Sequence, residues 1–352
     1  MSLASLKQSF VVGSIQTPIG PLPRVSPSLV RADRIGSLKA RWGMGRMHYG
    51  IDPGLYALGE PGQTSPVLVT ANYKMSFDRL REALPGRNLW ILVLDTKGIN
   101  VWCAAGKGTF GTQELVSRIE SSGLEKIVSH RELILPQLSG PGVSAHEVKR
   151  LSGFKVIYGP VRAADLPVFL ETRKAEPQMR SKTFNTWERT VLIPIELVSA
   201  LKVGLIAMAL FFVLSLLGNT GDGWTNAMNH GLFSASAVLM TILVGAAFTP
   251  LLLPWLPGRA FSVKGCSLGF LFFASLLVFR WKDWVAGTGR LEMLGWLFLI
   301  PALSAYLAMN FTGASSYTSL SGVKKEMRWA LPLEIGAAAL GLGLWIGSNF
   351  MR

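Results

Sequence analysis

Between residues 195 and 350 the chain carries five apolar segments of roughly twenty residues each, at 195–217, 231–253, 261–279, 291–311 and 330–350. Runs of this length cross the hydrocarbon core of a bilayer as helices, because only a helix or a closed barrel satisfies every backbone donor and acceptor there. This density excludes one water-soluble domain and predicts an all-α transmembrane domain over residues 191–352. Arg173, Lys174, Arg180, Lys182 and Arg189 precede the first span, Arg259 and Lys264 separate the second and third, and Lys324, Lys325 and Arg328 precede the fifth. All three groups fall on one side. The other side has Asp222 and His230 in its first loop and Arg280, Lys282 and Arg290 in its second, so the bias is real but incomplete. The excess of positive charge predicts a multi-pass protein of the cytoplasmic (inner) membrane with its N-terminal domain in the cytoplasm.

That domain is the polar part of the chain. Residues 1–190 carry +10 of the total charge of +14, and the sequence pI is about 10.0. No stripe of Lys and Arg interleaved with aromatics occurs, so nucleic acid is excluded as a partner in favour of an anionic membrane surface or an acidic protein. The first thirty residues lack a long apolar stretch, the best being Phe10-Val11-Val12-Gly13, which argues against a secretory leader. The only cysteines, Cys103 and Cys266, lie in regions of different character and do not read as a disulfide framework.

Four regions follow. Residues 1–60, rich in Gly and Pro and without a sustained period, read as an N-terminal wrap. Residues 61–172 alternate strand-length apolar runs, at 67–70, 89–94, 126–128, 133–135 and 154–158, with helical segments at 76–84, 112–121, 144–152 and 164–172. Alternation of this kind predicts an α/β domain with a Rossmann-like, mostly parallel sheet covered on both faces. A basic linker, 173–190, joins it to the transmembrane domain. Such sheets bind ligands beyond the carboxyl ends of their strands, here around Thr70, residues 96–107 and residues 159–165.

One of those ends holds Asn100-Val101-Trp102-Cys103-Ala104-Ala105-Gly106-Lys107. By itself a cysteine beside a tryptophan in a helix reads as a small packed hydrophobe. Two nucleotide motifs fail nearby. Residues 106–111 formally fit G-x-G-x-x-G, but they begin well after the strand instead of in its first turn, and a P-loop would need glycine where Val101 stands. His48, His130, His146 and His230 are scattered, and none has an aspartate two residues before it.

Residue for residue, the run 100–107 resembles the cap-helix signature of the mercury-methylating corrinoid protein family (HgcA). Residues 52–56 and 65–74, and the general course of 60–170, are similar to the large subunit of the corrinoid iron–sulfur protein of the acetyl-CoA pathway. That relative is soluble, and the apolar region after residue 190 instead matches the mercury-methylation family. The resemblance implies a cobalamin-type corrinoid whose cobalt takes the Cys103 thiolate as its lower axial ligand. Asn100, Val101, Trp102, Cys103, Ala104, Ala105, Gly106 and Lys107 would form the cap, with Thr70, Gly159 and Ala163 lining the pocket. A thiolate is soft and electron-donating, which favours delivery of a methyl group with its electron pair, or as a radical, to a soft cation such as Hg(II). Ala104, Ala105 and Gly106 would let a flat macrocycle approach the backbone, while the first helical turn and Lys107 would favour the thiolate.

The implied activity is an anaerobic corrinoid-dependent methyltransferase, supplied by a methyltetrahydrofolate-linked donor and passing methyl to Hg(II). This chain lacks the cysteines for an iron–sulfur cluster, so the reductant would be a separate small ferredoxin-like protein with two [4Fe–4S] clusters. Two other readings stand beside it: a corrinoid methyl carrier for a metabolic acceptor, and a non-enzymatic membrane metal transporter or sensor. Cys266 lies in the third span, where a packed small residue is the simpler reading and a relay for Hg(II) the alternative. The hydroxyl-rich loop 310–326 reads either as a solvated connector or as a docking segment.

Overall fold

A computed structural model describes residues 4–218, 224–287, 289–315 and 319–350. Asp222, and Ser316, Tyr317 and Thr318 of the hydroxyl-rich loop, lie outside the described residues. The chain divides into two compact units: Met1–Ala40 with Met44–Lys182, and Arg41–Gly43 with Thr183–Arg352.

The first unit is built on a seven-stranded sheet. Its strands are β1 (Val11–Thr17), β2 (Gly20–Val25), β3 (Gly54–Leu58), β4 (Val67–Ala71), β5 (Leu89–Leu94), β6 (Glu132–Leu135) and β7 (Lys155–Tyr158), in the spatial order β1-β2-β3-β5-β4-β6-β7. Within 61–172 every strand pair is parallel, as expected there, and the sheet as a whole is mixed because strands from residues 1–60 extend it. Pairs β5/β4, β4/β6, β6/β7 and β2/β3 are parallel, whereas β1/β2 and β3/β5 are antiparallel. The antiparallel part comes from residues 1–60, expected to be a wrap without regular structure. Prolines hid it: Pro21 and Pro23 lie inside β2, opposite Gln16 and Ser14, and proline in a short run normally argues against a strand. A second correction concerns 126–128, expected as a strand. A 3₁₀ turn covers Leu124–Lys126, and Ile127 and Val128 plug the core from a loop.

Helices α1 (Arg31–Arg41), α2 (Lys74–Glu82), α3 (Val101–Lys107), α4 (Thr112–Ser121), α5 (Ala145–Ser152) and α6 (Leu166–Thr172) complete this unit. Every residue of β3, β4 and β5 is buried, as continuous apolar runs covered on both faces must be. Alternation along the strands sends Val67, Val69, Trp90 and Leu92 to one face, where they meet Ala104 and Ala105 of α3, Leu115 and Ile119 of α4 and Val148 of α5. Leu68, Ile91 and Val93 go to the other, against Phe77 and Leu80 of α2 and Leu166 and Phe169 of α6. Each such large apolar side chain contributes about 1.5–3 kcal/mol by leaving water.

Helices α1 and α2 are tied by a buried ionic cluster. Lys74 Nζ donates to Asp33 and to Asp78, each at 2.7 Å, while Arg81 donates to Asp33 at 2.7 Å and to Asp78 at 2.8 Å. Arg81 also donates to the carbonyls of Ser26 and Ser28, so all four charges are partnered. Burial works against charge on Asp33, but hydrogen bonds and attraction from Lys74 and Arg81 outweigh it and hold its carboxyl below the ordinary range.

The second unit is helical. α7 (Thr186–Thr190) begins with a capping box between Asn185 and Glu188. Then come α8 (Ile193–Gly218), α9 (Trp224–Leu243), a π turn at Val244–Phe248, α10 (Thr249–Leu252), α11 (Phe261–Phe279), α12 (Trp281–Ala286), α13 (Arg290–Asn310) and α14 (Leu320–Phe350). Among the described residues five helices are long and apolar enough to cross a membrane: Thr186–Gly218, Ala227–Leu252, Phe261–Phe279, Arg290–Gly313 and Ser321–Asn349. α13 is central and is approached through small residues. A Cβ on Gly269 of α11 would stand 2.7 Å from Pro301 Cα, and one on Gly341 of α14 would stand 3.0 Å from the Leu299 nitrogen. The last helix begins at Leu320, so the loop expected over 310–326 is shorter than its hydroxyl content suggested.

Candidate functional site

After β5 the chain makes a tight turn before α3, and a single side chain organises it. Asn72, at the end of β4, accepts through Oδ1 from the Thr96 nitrogen at 3.0 Å, the Thr96 hydroxyl at 2.8 Å and the Gly98 nitrogen at 3.0 Å. Its own Nδ2 donates to Asp95 at 3.3 Å. Lys97 and Gly98 both take left-handed backbone conformations, with φ of 58° and 69°, and the Asp95 carboxylate accepts from the Lys97 nitrogen at 3.0 Å and its ammonium at 2.6 Å. Partial burial raises the Asp95 carboxyl, but the Lys97 contacts, with Arg118 behind them, more than offset this and leave it below the ordinary range. Thr96 closes the turn, its single hydroxyl proton shared between Asn72 Oδ1 and the Ile99 carbonyl, which lies 2.6 Å from Oγ1.

The turn delivers Asn100 as the N-cap of α3. Its Oδ1 accepts from the Cys103 nitrogen at 3.0 Å, and its Nδ2 donates to Cys103 Sγ at 3.5 Å. One residue therefore starts the helix and orients the sulfur. Cys103 is exposed, while Ala104 and Ala105, next in sequence, are buried and anchor the helix on the sheet. Val101 and Trp102 are half-buried, and Gly106 and Lys107 are exposed. A Cβ on Gly106 or Gly108 would meet nothing within 4 Å, so the outer surface of this helix opens onto free space.

Behind the helix two contacts hold it. Phe110, fully buried, donates its nitrogen to the Ala104 carbonyl at 3.1 Å. Gly142 passes so close that a Cβ there would strike the Phe110 carbonyl and stand 3.0 Å from Ala105 Cα. Sequence reasoning missed Asn72, Phe110 and Gly142. Only the position of Asn72, at the carboxyl end of a parallel strand, was a signal.

The three other expected pocket residues sit at the same edge of the sheet but on its other face. Thr70 shares strand parity with Leu68, so it points toward α2 and α6, away from α3. A Cβ on Gly159 would contact Ile134 and Phe169, and Ala163 packs on that same cluster. Their heights agree: Leu68 pairs with Ile134, and the Gly159 nitrogen donates to the Leu135 carbonyl at 2.8 Å. The carboxyl edge is thus flanked by α3 on one face and by Thr70, Gly159 and Ala163 on the other.

Residues 46–170 match the family model of the CO dehydrogenase/acetyl-CoA synthase delta subunit. The matched segment takes in β3 to β7 and all of the residues just described. Among curated proteins, the chain is 33% identical over 124 residues to the gamma subunit of the acetyl-CoA decarbonylase/synthase complex of Methanopyrus kandleri, covering 34% of this chain and 26% of that one. To the gamma subunit from Archaeoglobus fulgidus it is 31% identical over 123 residues, with the same coverage of 34% and 26%. To the gamma 2 subunit of Methanosarcina thermophila it is 33% identical over 125 residues, 34% of this chain and 26% of the relative. The chain spans about a quarter of the length of these relatives.

An exposed sulfur at the start of a helix, backed by alanines and facing open space, fits a flat metal macrocycle that needs one soft axial donor. Among the described residues no group of three or more His, Cys, Asp or Glu side chains is placed to hold a metal ion.

Proposed function

We propose that this protein is a membrane-anchored, corrinoid-dependent methyltransferase of the anaerobic type, which passes a methyl group from a methyltetrahydrofolate-linked donor to Hg(II). The single observation that carries it is the exposed Cys103 sulfur, capped by Asn100 and unobstructed, within a segment whose relatives are subunits of acetyl-CoA decarbonylase/synthase complexes. Cys103 would supply the sulfur donor to the corrinoid cobalt, with Asn100, Val101, Trp102, Ala104, Ala105, Gly106 and Lys107 as the surrounding binding surface. When bound, the corrinoid supplies a cobalt centre able to take up and hand on a methyl group. The hydrogen bond from Asn100 to Sγ orients the donor, as outer-shell partners of metal ligands commonly do. Thr70, Gly159 and Ala163 would line the opposite flank of the same edge. The five apolar helices would place the chain in the inner membrane, and a two-cluster ferredoxin-like protein would be the reductant.

The test is anaerobic conversion of isotopically labelled Hg(II) to methylmercury by membranes carrying this protein and its ferredoxin partner, beside a Cys103→Ala control. Product from the parent and background from the variant is the expected result. The relatives, gamma subunits of acetyl-CoA decarbonylase/synthase complexes, favour a second reading, a methyl carrier for a metabolic acceptor. Bound corrinoid and a working reductant without methylmercury would select it.

A further inference from the structure

Helix α1 carries apolar side chains on its outer face as well as a packed inner one. Contacts fix the inner face. Asp33 meets Lys74 and Arg81 of α2, the Ser37 and Tyr49 hydroxyls lie 3.4 Å apart, a Cβ on Gly36 would stand 2.7 Å from the Tyr49 hydroxyl, and Ala40 is fully buried. The 3.6-residue period puts Ile35 and Leu38 on the opposite side, where both are exposed. Trp42 continues their stripe just past the helix end, and the loop beyond it adds Met44 and Met47, 58% and 73% exposed.

Charge on this surface has one sign. Arg34 flanks the stripe on one side and Lys39 on the other, Arg31 stands at its N-terminal end, and all three are exposed. Asp33, the single acidic residue between positions 30 and 47, is turned inward and held by Lys74 and Arg81. An apolar stripe with basic margins suits a bilayer interface, where the apolar side chains enter the acyl boundary and the long basic ones reach the headgroups. The far end of the stripe adds a second argument. Arg41–Gly43 belong to the helical unit, and a Cβ on Gly43 would stand 3.1 Å from Ile195 and 3.9 Å from Val198, in the first turns of α8. Trp42 thus lies where the first apolar helix begins, the depth that aromatic side chains favour in a membrane.

We propose that α1 and the loop to Met47 dock on the anionic phospholipid surface of the membrane that the five apolar helices cross. Docking rests on those helices being membrane spans, and goes beyond that reading by giving the first unit a lipid contact of its own. Basic margins alone would also suit an acidic protein; the apolar stripe and its junction with α8 favour lipid. The same loop reaches the candidate site, since the Met47 carbonyl lies 3.6 Å from where a Cβ on Gly98 would stand, in the turn before α3. Docking would therefore set the sheet edge that carries Cys103 beside the lipid surface.

The test uses the full-length chain with Cys103→Ala and Cys266→Ala, spin-labelled at Leu38→Cys, in phosphatidylcholine vesicles with and without phosphatidylglycerol. Collision with oxygen, which concentrates in hydrocarbon, is compared with collision with a polar nickel chelate. With the anionic lipid, oxygen should dominate at position 38. Without it, or at high salt, the docked-to-free ratio should fall at least about tenfold, and Arg34→Glu with Lys39→Glu should lower it as far in the anionic vesicles. A label at Ile35→Cys should repeat the result. A further label at Ile206→Cys, on the outer surface of α8, reports insertion separately. Hydrocarbon depth at 206 with accessibility at 38 indifferent to lipid charge overturns docking while the membrane reading stands, and a label at 38 left open to the chelate then points to a protein partner. Spin–spin broadening between labels at 38 means that a second copy covers the stripe, and equally overturns docking. Should 206 itself be open to the chelate, the membrane reading fails and docking falls with it.

Discussion

The two units bury opposite things. In the α/β unit the apolar side chains of β3, β4 and β5 are inside, and the buried charges Asp33, Lys74, Asp78 and Arg81 all have partners. In the helical unit large apolar side chains face outward, with Val203 71%, Ile206 64% and Phe279 81% exposed, while Ser304 and Glu334 are buried without partners. Water explains the first pattern. The second fits the membrane setting proposed above, since lipid accepts apolar side chains, and the interior is held by close contact of small residues such as Gly265, Gly269 and Gly341.

The comparison can be broken most forcefully at Asp33. Asp33→Asn removes one partner from a closed buried cluster and should cost about 3–5 kcal/mol, read as faster hydrogen exchange across residues 1–182 of the intact protein. Protection equal to the parent would show that the cluster is dispensable. Ile206→Asp tests the other unit: on a watery surface the change would be nearly silent, but in a bilayer it should cost about 3 kcal/mol and lower the inserted fraction in a membrane-integration assay. Asn72→Ala strands the Thr96 and Gly98 donors, which should cost about 1–3 kcal/mol and loosen the turn before α3, seen as raised exchange at residues 95–103 and poorer corrinoid retention. Asn100→Ala should be milder, about 1 kcal/mol from the lost cap, with altered absorption of any corrinoid bound through Cys103.

Acid sharpens the picture of the first unit. Asp33 and Asp95 have carboxyls held below the ordinary aspartate range, so their contribution is complete above about pH 4 and is lost as pH falls through the lower folded values. Exchange protection of residues 1–182 should therefore collapse steeply below about pH 4, and the Asp33→Asn protein should show a shallower fall. Equal slopes would mean that other carboxylates govern acid stability.

Much of the candidate site was legible in residue order because its parts are local. Asn100 caps the helix that holds Cys103 three residues later, and the buried Ala104 and Ala105 follow directly. Helix α3, with Gly106 and Lys107, is one continuous segment. What could not be read was the support behind it: Asn72 reaches across 24 residues to Thr96, and Gly142 presses on Phe110 and Ala105 from a distant loop. Nor was it legible that Thr70, Gly159 and Ala163 face away from α3, because strand parity relative to a helix is decided by which face that helix covers.

Composition and periodicity by themselves determined the five apolar helices and the α/β character of the middle segment, since each depends on neighbours within a few turns of chain, whereas the helix at 101–107 was legible only through a family resemblance. Tertiary structure alone decided the mixed direction of the sheet, where a proline-bearing hairpin from residues 11–25 joins its edge, and the support of α3 by Gly142 and Phe110. The physical reason is the same in both cases: strand pairing and helix packing join residues far apart in sequence, and their register is set by side chains that only the folded molecule brings into contact.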